Sequence, residues 1–215
     1  MKRRHFLKTL PILAATPLAL AGNSLAMNRN QRHLIALGTA ACVMVNRHSD
    51  RLNYASVTLI DAFPIWNQKV SAHFVHFDYR INRQIDLHRN SRLVLLPTLT
   101  LEASIKDHLG NLSGDVVFVS GLGNGTGSLL SQSIGTQYLH ANGHQRWVVT
   151  IPFDFEGVVR VARASMVSRT LIKHHDEVTF LDFEEIRSKE GNLSIRSAYE
   201  KADEWLIEEL NELHG

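Results

Sequence analysis

Short apolar runs separated by longer stretches of mixed polarity set the character of this chain. Leu34-Ile35-Ala36-Leu37, Val57-Thr58-Leu59-Ile60, Val116-Val117-Phe118-Val119, Trp147 to Ile151 and Glu177 to Leu181 have the length and composition of buried strands. Phe74-Val75-His76-Phe77 reads as an edge strand, and Arg92 to Leu96, before Pro97, is compatible with strand or helix. Helical spacing predicts a short helix through Val45-Asn46-Arg47, then Leu101 to Leu109, Leu129 to Leu139, Val158 to Ile172 and Ser197 to Leu213. In the last of these Ala198, Ala202, Trp205 and Leu206 fall on one face. Strands alternating with helices imply an α/β domain with a parallel sheet, which binds ligands where the carboxyl ends of its strands open.

Composition fits that picture. The chain has 215 residues, enough for one domain with a substantial core, and 44% hydrophobic against 20% charged residues mark a globular protein. A net charge of +2 implies no polyanion partner, so no nucleic acid is expected. The 12 histidines are scattered. His73 and His76 would point to opposite faces of a strand, and the pair His174-His175 suits a helix end or a solvated surface. No metal site is expected from them. A lone cysteine, Cys42, excludes an intrachain disulfide.

The first 26 residues have a different logic. Lys2-Arg3-Arg4-His5-Phe6-Leu7-Lys8, a modestly apolar stretch to Ala21 and small residues at Ser24-Leu25-Ala26 resemble a twin-arginine (Tat) export signal. The stretch is too short and proline-interrupted to span a membrane. The expected divisions are a leader over 1–26, a linker over 27–33 and one domain over 34–215. A periplasmic address follows, or a cytoplasmic one if translation begins at Met27.

The most informative segment is Gly121-Leu122-Gly123-Asn124-Gly125-Thr126-Gly127-Ser128, directly after the Val116 strand. A buried strand running through alternating glycines into a helix lets the backbone approach an anion, with N–H groups of the helix start pointing at it. Further on comes Val148-Val149-Thr150-Ile151-Pro152-Phe153-Asp154-Phe155-Glu156-Gly157-Val158-Val159-Arg160. Together these two segments resemble the tubulin superfamily and specifically FtsZ, which carries G-G-G-T-G-[ST]-G and V-V-T-x-P-F-x-F-E-G-x-x-R. The resemblance extends from about Leu34 to Leu206 and implies a Rossmann-like parallel-sheet GTPase domain with helices on both faces.

The resemblance also implies roles. Gly38, in Ile35-Ala36-Leu37-Gly38-Thr39-Ala40-Ala41-Cys42, stands in the family's first phosphate loop, and the side chains after it narrow that approach. Asp61 would lie near Mg²⁺ and phosphates. Gly121, Gly123, Asn124, Gly125, Thr126, Gly127 and Ser128 would hold phosphates, with Asn124 tolerating positive φ better than other non-glycine residues. Glu156 would accept from ribose hydroxyls and Arg160 would fork onto phosphate. Tyr199 would stack on a guanine base whose edge Asp203 reads, while Leu181-Asp182-Phe183 replaces the family's P-N-D. Each position also has an ordinary structural explanation: a core aromatic at 199, a solvated acid at 203, a helix-start charge at 156.

In the family a catalytic acidic loop and a second domain follow the last helix, and neither is recognisable before Gly215. No catalytic residue is therefore assigned, and at most weak GTPase activity is expected. The expectation is a degenerate GTP- or GDP-binding protein, with or without Mg²⁺, binding or regulatory in role. It could meet itself or another tubulin-like protein through one interface. The alternative is an exported scaffold that keeps the fold without nucleotide. A dinucleotide enzyme comes third, since no G-x-G-x-x-G follows the first strand.

Overall fold

The computed structural model describes residues 31–65, 68–69, 72–78 and 98–213. The expected leader, most of the linker and the segment Arg92 to Leu96 lie outside the described residues. Six strands form one parallel sheet: β1 (Arg32–Leu37), β2 (Ser56–Asp61), β3 (His73–His76), β4 (Asp115–Gly121), β5 (Gln145–Ile151) and β6 (Val178–Asp182), in the order β3-β2-β1-β4-β5-β6. Strand β1 begins at Arg32, inside the expected linker, because Arg32 and His33 already pair with Asp115 and Val116 of β4. The order reverses between β1 and β4, and such a reversal opens a crevice at the strands' carboxyl ends.

Side chains alternate across the sheet. Ile35, Leu37, Val116 and Phe118 join one core, covered by α2 (Ala103–Gly110), α3 (Gly125–Gln137) and α4 (Val158–His174). Leu34, Ala36, Val117 and Val119 join the other, covered by α1 (Gly38–Arg47), α5 (Phe183–Glu190) and α6 (Ile195–Glu212). Helices on both faces and a wholly parallel sheet are the expected class. The edge position of β3 is also as expected.

Two local expectations are corrected and a third is narrowed. Helix α3 starts at Gly125 rather than Leu129, so half of the glycine segment is a helical first turn, stabilised by its seat at the end of β4. Helix α5 was not foreseen. Asp182 Oδ1 accepts from the Glu184 N–H at 3.0 Å, and acids in its first turn with cations in its last complete the local signal. Finally, of the two places expected for His174-His175, the pair takes the helix end, and His175 is not on a solvated surface. It follows the last residue of α4, is buried, and bonds the Gly135 carbonyl through Nε2 at 2.8 Å. Among the described residues no helix is long and apolar enough to cross a membrane.

Candidate functional site

Two helices begin side by side at the sheet's central opening. Helix α1 starts at Gly38, immediately after β1, and α3 starts at Gly125, four residues after β4 ends. Neither start carries a side-chain cap. The first N–H groups of each helix have no carbonyl within the helix to bond, and both dipoles place partial positive charge here. The pair is held close by glycine. Gly38 has φ +78°, and a Cβ there would lie 2.4 Å from the Gly127 nitrogen; one at Gly127 would lie 2.7 Å from the Gly121 oxygen. This contact explains why Ala40 and Ala41 are tolerated while Gly38 is glycine: the helices touch at residue 38 itself.

Beside this double helix start runs a cleft of about 100 Å³ between α1, the glycine turn and α6. Gly121, Asn124, Glu156, Tyr199 and Asp203, distant in sequence, all line it. Glu156 Oε1 accepts from the Phe153 N–H at 3.1 Å, and its Oε2 pairs with Arg160 at 2.8 Å. The Tyr199 hydroxyl also bonds Glu156; burial and that carboxylate's charge push the phenol up to about 12. The Tyr199 ring stands edge-on to Phe153, with centroids 5.6 Å apart. Asp203 Oδ2 receives Arg47 Nη1 at 2.7 Å, with His48 Nε2 at 3.3 Å.

The remaining predicted residues sit around the cleft rather than in its wall. Gly38, Gly125, Thr126 and Gly127 shape the helix starts. Ser128 is fully buried and its Oγ accepts the Gly123 N–H at 2.8 Å, so its hydroxyl serves the turn itself. Arg160 reaches the site through Glu156. Asp61 lies on the other flank of α1, where it lines a wider cavity of about 410 Å³ with Thr39, Arg47 and Lys69. Its Oδ1 accepts from the Ala62 N–H and the Thr39 side chain also bonds it, while its buried Oδ2 has no partner. Burial raises its pKa above the ordinary carboxylate value, against the opposing pull of those hydrogen bonds and of His76.

Arg47 and His48 were missed as partners of Asp203, Thr39 as the partner of Asp61, and Phe183 as part of the cleft wall. Arg163 was missed too, although a charge on the apolar stripe of α4, beside Ala164 and Val167, is a visible signal.

The comparison with solved structures decides the architecture. The M. jannaschii FtsZ W319Y mutant superposes with a TM-score of 0.70 at 19% identity, covering 88% of this chain and 57% of that one. The fold is that of the FtsZ GTPase domain. CetZ1 from Haloferax volcanii, a GDP-bound monomer, superposes on this chain with a TM-score of 0.54 at 17% identity, covering 86% of this chain and 60% of that one. In sequence, FtsZ 1 of Pyrococcus horikoshii is 27% identical over 179 residues, 82% of this chain and 48% of its own length. FtsZ of Porphyromonas gingivalis is 32% identical over 111 residues, 51% of this chain and 24% of its own. The chain thus spans about half the length of the FtsZ 1 proteins it matches. No family model matches it.

Proposed function

We propose that this chain is a degenerate FtsZ/tubulin-like guanine-nucleotide-binding protein whose role is binding or regulation rather than self-driven hydrolysis. The observation that carries this reading is the pairing of two uncapped helix starts with a cleft that gathers Glu156, Tyr199 and Asp203. Phosphates would take the N–H groups at the adjacent starts of α1 and α3. Ribose hydroxyls would bond Glu156, and Arg160 stands next to it for phosphate. The base would lie against Tyr199, with Asp203 accepting from the N1–H and N2 amine that guanine has and adenine lacks. The buried, partnerless Oδ2 of Asp61, near the start of α1, suits a Mg²⁺ ion arriving with the phosphates, a hard cation that takes oxygen ligands. Such an ion would neutralise phosphate charge.

Degeneracy has its own support. Asp203 and Glu156 already hold cations, so a nucleotide must displace Arg47 or share the carboxylate, which weakens binding. The cleft is also tight, since small-molecule pockets commonly span about 300–1,000 Å³. The same two features favour the second reading, an interaction protein that keeps the fold without nucleotide. Exposed Phe155, beside Tyr199, and exposed Val158 and Ile195 would in either case offer apolar surface to a second copy or another tubulin-like chain. We further assign the chain to the periplasm through Tat export, folded and already loaded in the cytoplasm. Fractionation of cells carrying the parent chain and Arg3→Lys/Arg4→Lys tests that address; unchanged distribution would remove it.

The deciding experiment is nucleotide content. Protein purified from each compartment is denatured and the released nucleotide identified by chromatography. Stoichiometric GDP or GTP is the expected result. An empty protein whose melting does not shift with GTP and Mg²⁺ would overturn the nucleotide reading and leave the scaffold.

A further inference from the structure

The peptide between Gly123 and Asn124 is oriented from behind. Arg163, a buried residue on α4, donates from Nη1 to the Gly123 carbonyl at 2.9 Å. The Gly123 N–H is used within the turn, on Ser128 Oγ. Gly123 has φ +91°, and a Cβ there would lie 2.9 Å from the Arg160 carbonyl oxygen and Pro152 Cγ, so the turn is pressed onto the start of α4. No peptide bond in the described residues is cis. In a trans peptide the C=O and the following N–H point in opposite directions. A Gly123 carbonyl drawn toward α4 therefore turns the Asn124 N–H the other way. Helix α4 covers one face of the sheet, while Asn124 lines the cleft beside α1 and α6 on the other.

We infer that Arg163 is a positioning residue for phosphate binding: it locks the Gly123–Asn124 peptide so that the cleft is offered an N–H donor instead of a carbonyl oxygen. The inference rests on the nucleotide reading above and deepens it, because it assigns the phosphate cradle's orientation to a residue that touches no ligand. Without the guanidinium the peptide is free to flip. The carbonyl would then face the phosphates, where two acceptors repel. A guanidinium suits the task because it stays protonated even where burial and the neighbouring charge of Arg160 lower its pKa.

Calorimetric titration of guanosine, GDP and GTP into the parent chain, Arg163→Met and Arg163→Lys tests this. Met keeps the buried length and removes the donor; Lys restores one donor. Arg163→Met is expected to lose roughly tenfold or more in affinity for GDP and GTP while guanosine stays within about twofold. Arg163→Lys is expected to recover much of the loss. In amide NMR spectra the Asn124 signal should respond to GDP in the parent and Arg163→Lys proteins and not in Arg163→Met. Equal losses for guanosine and GDP, or none for either, would overturn the inference and leave the nucleotide reading intact. Should Arg163→Met fail to fold, Arg163→Lys against parent decides: a residual loss for GDP that exceeds the loss for guanosine supports the lock, and equal losses for both, or none for either, overturn it. A parent chain that binds neither nucleotide would remove both readings.

Discussion

Asp61 shows what a single residue costs and what it offers. Its carboxyl is fully buried, one oxygen has no partner, and burial raises its pKa. A carboxyl with a raised folded-state pKa favours folding at low pH and loses that contribution as pH rises through the folded value. At neutral pH it is therefore a local liability. Asp61→Asn keeps the shape and an oxygen for the Ala62 N–H while removing the charge. We expect the ligand-free variant to melt about 2–4 °C higher, the equivalent of ~1 kcal/mol, and to lose the Mg²⁺ dependence of any nucleotide binding. A lower melting temperature would mean that the charge is matched by a cation in the folded protein. Asp203 makes the complementary case. Arg47→Ala leaves its Oδ2 only the longer contact to His48 Nε2, and because Arg47 is exposed little stability should change, about 0–1 kcal/mol. Guanine-nucleotide affinity is expected to rise severalfold over parent by titration; an unchanged affinity would mean that Arg47 is no competitor.

At the scale of elements, the site depends on two helix starts meeting at glycine. Gly38→Ala introduces a Cβ 2.4 Å from the Gly127 nitrogen in a left-handed conformation that alone costs roughly 1–2 kcal/mol. We expect a loss of about 3 kcal/mol or more in denaturant melts, the range of strongly destabilising core substitutions. By contrast Gly110→Ala, whose Cβ would meet nothing within 4 Å, should be neutral or slightly stabilising in the same assay. Similar values for the two would show that α1 and α3 do not constrain each other.

The whole molecule carries a pH response spread over two histidines, one half-buried and one buried. Burial lowers the pKa of His108, helped by His73 and His33, and burial lowers that of His175 against the Gly135 hydrogen bond. The neutral form is favoured in both places, with His108 bonded to Thr58 and stacked on His73, and His175 against Trp147. A histidine whose folded pKa is depressed adds stability above its unfolded value, about 6.5, and withdraws it as pH falls below that. Thermal melts should therefore drop between pH of about 7.5 and about 5.5, and His108→Gln, which can keep the Thr58 bond, should flatten part of the drop. A pH-independent melt would place the protonation elsewhere.

Much of this protein was legible along the chain. Each expected strand of the described region exists, because apolar runs of four or five residues between helical segments have few other uses in an α/β domain. The glycine segment and the Pro152 to Arg160 segment pointed to the right fold for a local reason: tight turns at strand ends demand particular residues at particular positions. Helix α5 was legible as well, in Asp182 and the acids after it, and was overlooked. What the chain could not reveal was partnership. That Gly38 abuts Gly127, that Arg47 and His48 hold Asp203, and that Arg163 grips the turn from behind are contacts between elements far apart in sequence. Local spacing determines which elements form and which backbone bends they need. Only the closing of the sheet and its two helical layers decides which side chains meet, since a contact across the fold leaves no period in the sequence.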